Sequence, residues 1–591
     1  MSVCARRRVL VALAVAVWGI GSTAFAVTPV FVDAITPNCH GRGILGVNCF
    51  TTIQQAVDHA GPPPAVVNVF QGTYAEDVDL SAMGSAIGGM PGDITLRTVN
   101  AAGLPASGTA TIEGVQSAIG LTAIFNGSVT IDGFILTSQM GAGIDLFTVI
   151  GAVEIANVSV EHAGNSGVIV GASDTIDVRN TKASANGMFG FDLGSSQAIA
   201  LRSLVANANQ MDGIAVSSSQ TVTIETATAS GNQGSGADVS SGGAALIHRL
   251  TVEQNGSAGA GVSAAGTIEI EDSAANGNRD DGLDLSALGA VVVYDSTADR
   301  NRINGLSVST MNALTITRTS ASDNRADGMN LSSANGPTVS HARADGNQDD
   351  GIVVSTPRTV TITDSSASMN MGHGLNISAG QAITIGNTDA DDNGGSGIRI
   401  SSASDVTIDP TSASRNQVDG VDLSIGGHAT ITALAATDNT GFGVTISTPD
   451  GLSLGSSNLL RNASGLRLQG PGTASFEVHC SNIAQNTSSG LDSETTASSD
   501  AENNWWGSNS GPQHPSNPGG TGNPVIDAAN GGAGTVDFKP FLRGPFQNVG
   551  TCGGRISQAP LLDGTGLAAC AIALFALGYA VLERRARRPQ P

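Results

Sequence analysis

Aromatic side chains are scarce: 3 Trp, 3 Tyr and 15 Phe make up 4% of the 591 residues. A single large globular core normally leans on such residues, so this composition argues against one. Charge is thin too, at 13%, and basic residues are the rarer sign: 27 Lys+Arg stand against 50 Asp+Glu, a net charge of −23. With 40% hydrophobic residues the chain is not a disordered polyelectrolyte. An acidic chain is a poor ligand for phosphate backbones, which argues against nucleic acid as a partner. No C-x-x-C or Cys/His cluster suggests zinc. The 77 Gly follow no G-X-Y period, which excludes collagen.

Gly, Ala, Ser and Asn are plentiful instead, and they suit an architecture of tight turns and small inward side chains. Their order is periodic. Gly occurs at 167, 190, 213, 236, 259, 282, 305, 328, 351, 374, 397, 420 and 443, always 23 apart. Four residues before twelve of these stand Asn186, Asn209, Asn232, Asn255, Asn278, Asn301, Asn324, Asn347, Asn370, Asn393, Asn416 and Asn439. After each Gly come two usually apolar positions one residue apart, as in Leu306 and Val308, then a second pair, Leu314 and Ile316, then a small residue, Ala321. Three runs of period two per repeat predict three strands per turn, and the apolar spacings of three and four that a helix needs are absent. One repeat cannot bury its own inner face, so neighbours must stack. The fold class is therefore all-β, a parallel β-helix solenoid with 23-residue coils. At about 4.8 Å per coil, the strict array 167–443 makes a rod of roughly 58 Å. The Asn column reads as a hydrogen-bonded ladder along the axis, and the Gly column as a turn position needing backbone freedom.

The two ends carry different signals. Arg6, Arg7 and Arg8, the apolar run 9–20 and Ala24-Phe25-Ala26 read as a cleavable secretory signal, residues 1–26. A second apolar run, 566–582, is followed by Arg584, Arg585, Arg587 and Arg588, which predicts a C-terminal anchor helix with a cytoplasmic tail. Four cysteines remain between these ends: Cys39, Cys49, Cys480 and Cys552. An even number in an exported chain favours disulfides. Of the three possible pairings, Cys39–Cys49 with Cys480–Cys552 closes the shortest loops.

Pro560-Leu561-Leu562-Asp563-Gly564-Thr565-Gly566-Leu567, the apolar run and the Arg tail resemble the C-terminal sorting signals read by exosortase-type enzymes, in the variant that opens Ile-Pro-Thr-Leu. Ala559 and Leu561 depart from that opening. The resemblance implies a sorting enzyme as partner and a Gram-negative-type bacterium, with the chain held at the inner membrane or passed to the cell surface. The segment Phe50-Thr51-Thr52-Ile53-Gln54-Gln55-Ala56-Val57 with Gly72-Thr73-Tyr74 resembles the start of right-handed β-helix proteins of the pectate-lyase-like group. There an N-terminal helix caps the first coil. Asn503-Asn504-Trp505-Trp506-Gly507, Gly511-Pro512 and Asn517-Pro518-Gly519-Gly520 resemble a segment that closes such rods. The expected layout is 27–80 for the N-terminal cap and first coil, 81–500 for the β-helix, 501–542 for the C-terminal cap segment, 543–558 for a linker and 559–591 for the sorting signal.

Enzymes on this fold build sites from long loops, and the array 167–443 has no insertion with which to wall a cleft. Asn387-Thr388-Asp389 with Asp391-Asp392, and Gly372-His373-Gly374, resemble polygalacturonase segments but stand in the wrong order. No catalytic residues are assigned. The acids are the richer signal: Asp212, Asp281, Asp327, Asp350 and Asp419 precede the repeat Gly, Asp280 and Asp349 stand one earlier, and Asp192, Asp238, Asp284 and Asp422 point outward two after it. Asp280, Asp281, Asp284, Asp327, Asp349 and Asp350 could bind a hard cation such as Ca²⁺, or form a solvated face that keeps the rod soluble. No other cofactor is expected. The reading is a non-catalytic, surface-anchored rod with a structural or adhesive role toward envelope components or an extracellular polysaccharide. Its alternatives are a polysaccharide lyase or hydrolase with a site among 80–165 or 444–500, and a cation-dependent glycan-binding module.

Overall fold

The computed structural model describes residues 29–547 except 37, 61–63, 82–91 and 109. The expected signal, linker and anchor therefore lie outside the described residues, and among those described no helix is long and apolar enough to cross a membrane.

Each coil runs as the spacing predicts. After Gly305, Leu306–Thr310 forms a strand of a front sheet and Leu314–Thr317 a strand of a side sheet. The next coil repeats both in parallel register, Leu306 beside Met329 and Leu314 beside Pro337. Alternation buries Leu306, Val308, Leu314 and Ile316, and the Ala321 column is sealed completely. One continuous apolar core thus runs the length of the rod.

The third strand is reduced. Strands of a back sheet form at Thr388–Asp389, Thr411–Ser412, Leu434–Thr437, Asn458–Leu460 and Asn482–Ala484. The coils between Thr251 and Asp389 keep only single parallel bridges, such as Thr297 to Ser320 and Ser320 to Arg343, whereas before Thr251 the third run pairs over two or three residues, as Thr181 and Lys182 do with Leu204 and Val205. Two left-handed residues per coil bend the chain around this short side, for example Arg318 at φ 48° and Asp323 at φ 58°.

The repeat glycines correct one expectation: none of them has positive φ. Space, not backbone freedom, demands Gly there. A Cβ on Gly305 would lie 2.5 Å from the Ala298 carbonyl oxygen, 2.6 Å from Asn324 Nδ2 and 2.7 Å from Ala321 Cβ.

The asparagines do form a ladder. Asn324 Oδ1 accepts from the Asn301 backbone N–H at 2.8 Å and from Asn301 Nδ2 at 3.2 Å. The same contact begins at Asn186 and continues past Asn439 to Asn462, Asn486 and Asn523.

At the N-terminal end, Val30–Val32 pairs with Cys49–Phe50 and Ala65–Phe70. The one α-helix among the described residues, Ile53–His59, buries Ile53, Ala56 and Val57. Glu76 fixes its start, its carboxylate accepting from Ile53 N at 2.8 Å and Gln54 N at 2.9 Å. The Cys39–Cys49 disulfide is present. Cys480 is also disulfide-bonded, and its expected partner, Cys552, lies outside the described residues. At the other end Trp506 is fully buried in the core and Trp505 is half-buried.

Candidate functional site

The front sheet carries the most regular surface. With Leu306 and Val308 inward, Ser307 and Ser309 must point out. Ser309 belongs to an unbroken row: Ser217, Ser240, Ser263, Ser286, Ser309, Ser332, Ser355, Ser378, Ser401, Ser424 and Ser447 occupy paired register positions on successive coils. All are exposed except the half-buried Ser447. Sequence reading missed this row, although the fixed offset of Ser from each repeat Gly was the available signal. Strand pairing spaces its hydroxyls by about 4.8 Å. Two shallow grooves run beside it, of about 530 Å³ at Ser240, Ser263 and Ser286, and about 430 Å³ at Ser401, Ser424 and Ser447.

A second outward row lies two residues nearer the glycines and includes Asp192, Asp238, Asp284, Asn330, Asn376, Arg399 and Asp422. Desolvation holds Asp192, Asp238, Asp284 and Asp422 above the ordinary carboxylate range.

The acids just before the repeat Gly have a structural task. Asp281 Oδ1 accepts from Asn304 N at 2.7 Å, Asn304 Oδ1 from Asp327 N at 3.1 Å, and Asp327 Oδ1 from Asp350 N at 3.1 Å. Asp212 and Asp419 do the same for Ser235 N and Phe442 N. These side chains replace strand hydrogen bonds at the corner of each coil. A further corner row works likewise, Asp299, Asp345 and Asp391 accepting from Ser322, Ser368 and Ser414. Asp391 and Asp392 also bind Arg415, so the acids resembling a polygalacturonase segment are ladder and ion-pair groups.

Of the six acids expected as cation ligands, the structure groups three. Asp327, Asp349 and Asp350 each place a ligand oxygen within 4.8 Å of the others. Among the described residues, Asp280, Asp281 and Asp284 do not form a comparable cluster with one another or with these three. Burial pushes Asp281 and Asp327 up to about 6, with nearby carboxylates adding to the effect. Three carboxylates suit a hard cation. The two oxygens of Asp350, however, already accept from His373 N at 2.5 Å and Asn376 Nδ2 at 2.7 Å. A cation would have to compete with both.

Two features lie in the flanks where a catalytic alternative was expected. In the strand Ile144–Ile150 alternation with the buried Ile144 and Leu146 points Phe147 outward, and a register shift between Leu146 and Val149 returns Val149 to the core. Phe147 is 70% exposed and lies with Ile124, Asp145 and Asp192 around a hollow of about 550 Å³. Near the other end Arg467 stacks over Phe442 at 4.0 Å and approaches Glu494 at 3.3 Å.

The family model described as right handed beta helix region matches residues 109–249, 239–390 and 373–521. Among solved structures, the A-module of Azotobacter vinelandii mannuronan C-5 epimerase AlgE4 is 13% identical, covering 58% of this chain and 90% of that one, with a TM-score of 0.30. The AlgE6 A-module of the same organism is 13% identical over 68% and 93%, with a TM-score of 0.27. The pectate lyase Pel9A is 15% identical over 55% and 80%, with a TM-score of 0.24. No curated protein matches.

Proposed function

The chain belongs to the right-handed β-helix family, and from that premise we propose that it is an exported rod whose front sheet binds extended glycans without cleaving them. The observation that carries this reading is the unbroken serine row from Ser217 to Ser447, flanked by acid and amide side chains and by open grooves. A periodic hydroxyl row offers the same contact at every coil, which suits a polymer lying along the axis. It offers no single point at which chemistry would concentrate. The signal at 1–26 would export the rod, the helix Ile53–His59 would cap its first coil, and 559–591 would anchor it or be read by a sorting enzyme. An envelope or matrix role follows from that placement. Asp327, Asp349 and Asp350 would supply any Ca²⁺ dependence.

A polysaccharide array probed with the purified protein, with and without Ca²⁺, tests this reading. Binding without released product is expected. Ser309→Trp, which places a bulky ring in the middle of the row, should weaken binding at least tenfold while leaving the melting temperature within about 2 °C, because Ser309 is exposed. The alternative of a lyase or hydrolase is favoured by Phe147 beside Asp145 and Asp192. It requires product release that Asp145→Asn abolishes.

A further inference from the structure

The C-terminal cap holds a constellation that glycan binding does not use. His514 and Asp527 are each 5% exposed at the side chain and face one another, Nε2 to Oδ1, at 3.0 Å. On the other side of the ring, His514 Nδ1 lies 2.8 Å from Ser516 Oγ. Ser516 itself is exposed. The backbone N–H of Ser516 also points at Nδ1, at 3.1 Å, and so requires Nδ1 to be an acceptor. The ring proton then sits on Nε2, where Asp527 receives it. Asp527 is fixed in turn, Oδ1 accepting from Ala529 N at 2.8 Å and Oδ2 from Val536 N at 3.1 Å. These contacts, with His514, hold its carboxyl below the ordinary carboxylate range despite burial. The edge of His514 against Phe538, 5.1 Å between ring centres, closes the remaining side.

We propose that Ser516, His514 and Asp527 form a nucleophile, general base and orienting carboxylate that accept acyl groups from small carboxylic esters. The relation of roles is the one this chemistry needs: a hydroxyl on an unprotonated imidazole nitrogen, with an anion behind the opposite N–H. Ser516 Oγ attacks the ester carbonyl carbon as its proton passes to Nδ1. The bond to the leaving alcohol then breaks, and that alcohol takes the proton from Nδ1. Water repeats the sequence on the acyl-serine, releasing the carboxylic acid and restoring Ser516. Asp527 stabilises the transient imidazolium, and Lys539, whose Nζ donates to the Ser516 carbonyl oxygen at 2.8 Å, holds the backbone of the nucleophile's turn. Ser516 stands exposed on a turn and open to an ester from solvent, of which an acetyl ester is the simplest.

The test is labelling of the full-length protein with a fluorophosphonate probe, located by peptide mass, together with p-nitrophenyl acetate hydrolysis. The expected result is a single label on Ser516, lost in Ser516→Ala and in urea-unfolded wild type. His514→Gln should label and hydrolyse at least about a hundredfold more slowly. Ser510→Ala, at another cap serine, should behave as wild type. Absence of label on Ser516 in folded protein would overturn the proposal. So would a folded His514→Gln that reacts as fast as wild type. Should His514→Gln unfold the cap, the wild-type, unfolded and Ser516→Ala comparison still decides the question.

Discussion

At the scale of single residues, the rod depends on positions where one atom more or less changes the stack. The repeat Gly is legible in the sequence as a column, but its reason is not, because a one-dimensional pattern cannot separate a turn that needs positive φ from a contact that excludes Cβ. Gly305→Ala should therefore destabilise the protein by about 1–3 kcal/mol, the range for an overpacked core, seen as a lowered urea midpoint. Asn324→Ala should cost about as much. It leaves the Asn301 N–H and Nδ2 of a buried ladder without their acceptor. The acids make a different prediction. Asp281 and Asp327 are raised from 3.8 to about 6 in the fold, so the folded state holds their protons more tightly than the unfolded chain does. Their contribution to stability is fully present below pH 3.8 and is lost as pH rises through about 6. Asp295 and Asp438, held low by Arg318 and Arg461, act oppositely and lose their contribution as pH falls through their depressed range. The melting temperature should thus rise between pH 7 and pH 5. Asp281→Asn with Asp327→Asn should flatten that rise.

At the scale of elements, period-two runs predict three strands per coil, and two of them are present throughout the array. The third is shortened to bridges between Thr251 and Asp389, and a left-handed residue turns the chain after it in coils of both kinds, Ala185 and Arg415 as well as Arg300 and Asp323. No common residue type marks that position, since Gly231, Gln254, Gly277, Arg300, Asp323 and Gly346 all fill it, so the sequence gives no sign of it. The Asn ladder is legible over the strict repeat and becomes hidden where spacing changes, although Asn462, Asn486 and Asn523 continue it. Phe147 follows the alternation of Ile144 and Leu146, while the register shift before Val149 breaks that alternation for the residues after it. The helix Ile53–His59 depends on a distant residue, because Glu76 satisfies two N–H groups at its positive end. Glu76→Ala should lower stability by about 1–2 kcal/mol, comparable to loss of a helix cap, with Glu76→Gln losing less. Urea unfolding followed by circular dichroism would measure both.

At the scale of the whole molecule, the protein is a stack in which each coil touches chiefly its neighbours, so its surface properties are repeated along one axis. This explains both what the sequence shows and what it hides about function. The 23-residue period makes the fold legible. The same period disguises a surface row as one more structural column, since serine at a fixed offset looks no different from a ladder residue. Direction of pointing separates them: the Asn column faces inward and bonds to itself, while the Ser309 row faces solvent. The acids before the repeat Gly fall between these cases, partly buried and already bonded to the coil that follows. Corner bonding accounts for much of that acidic column without a ligand, and among the described residues only Asp327, Asp349 and Asp350 keep the geometry of a cation site. Glycan binding along the axis, as proposed, depends on length in a way that a single-point site does not. The most direct measurement is the affinity of the purified protein for a graded series of oligosaccharides from a polymer that it binds, with the chain lengths checked afterwards. Kd is expected to tighten steadily as the oligosaccharide spans more coils, with Ser309→Trp interrupting this gain and every oligosaccharide recovered intact. An affinity independent of length, or recovery of shortened chains, would contradict it.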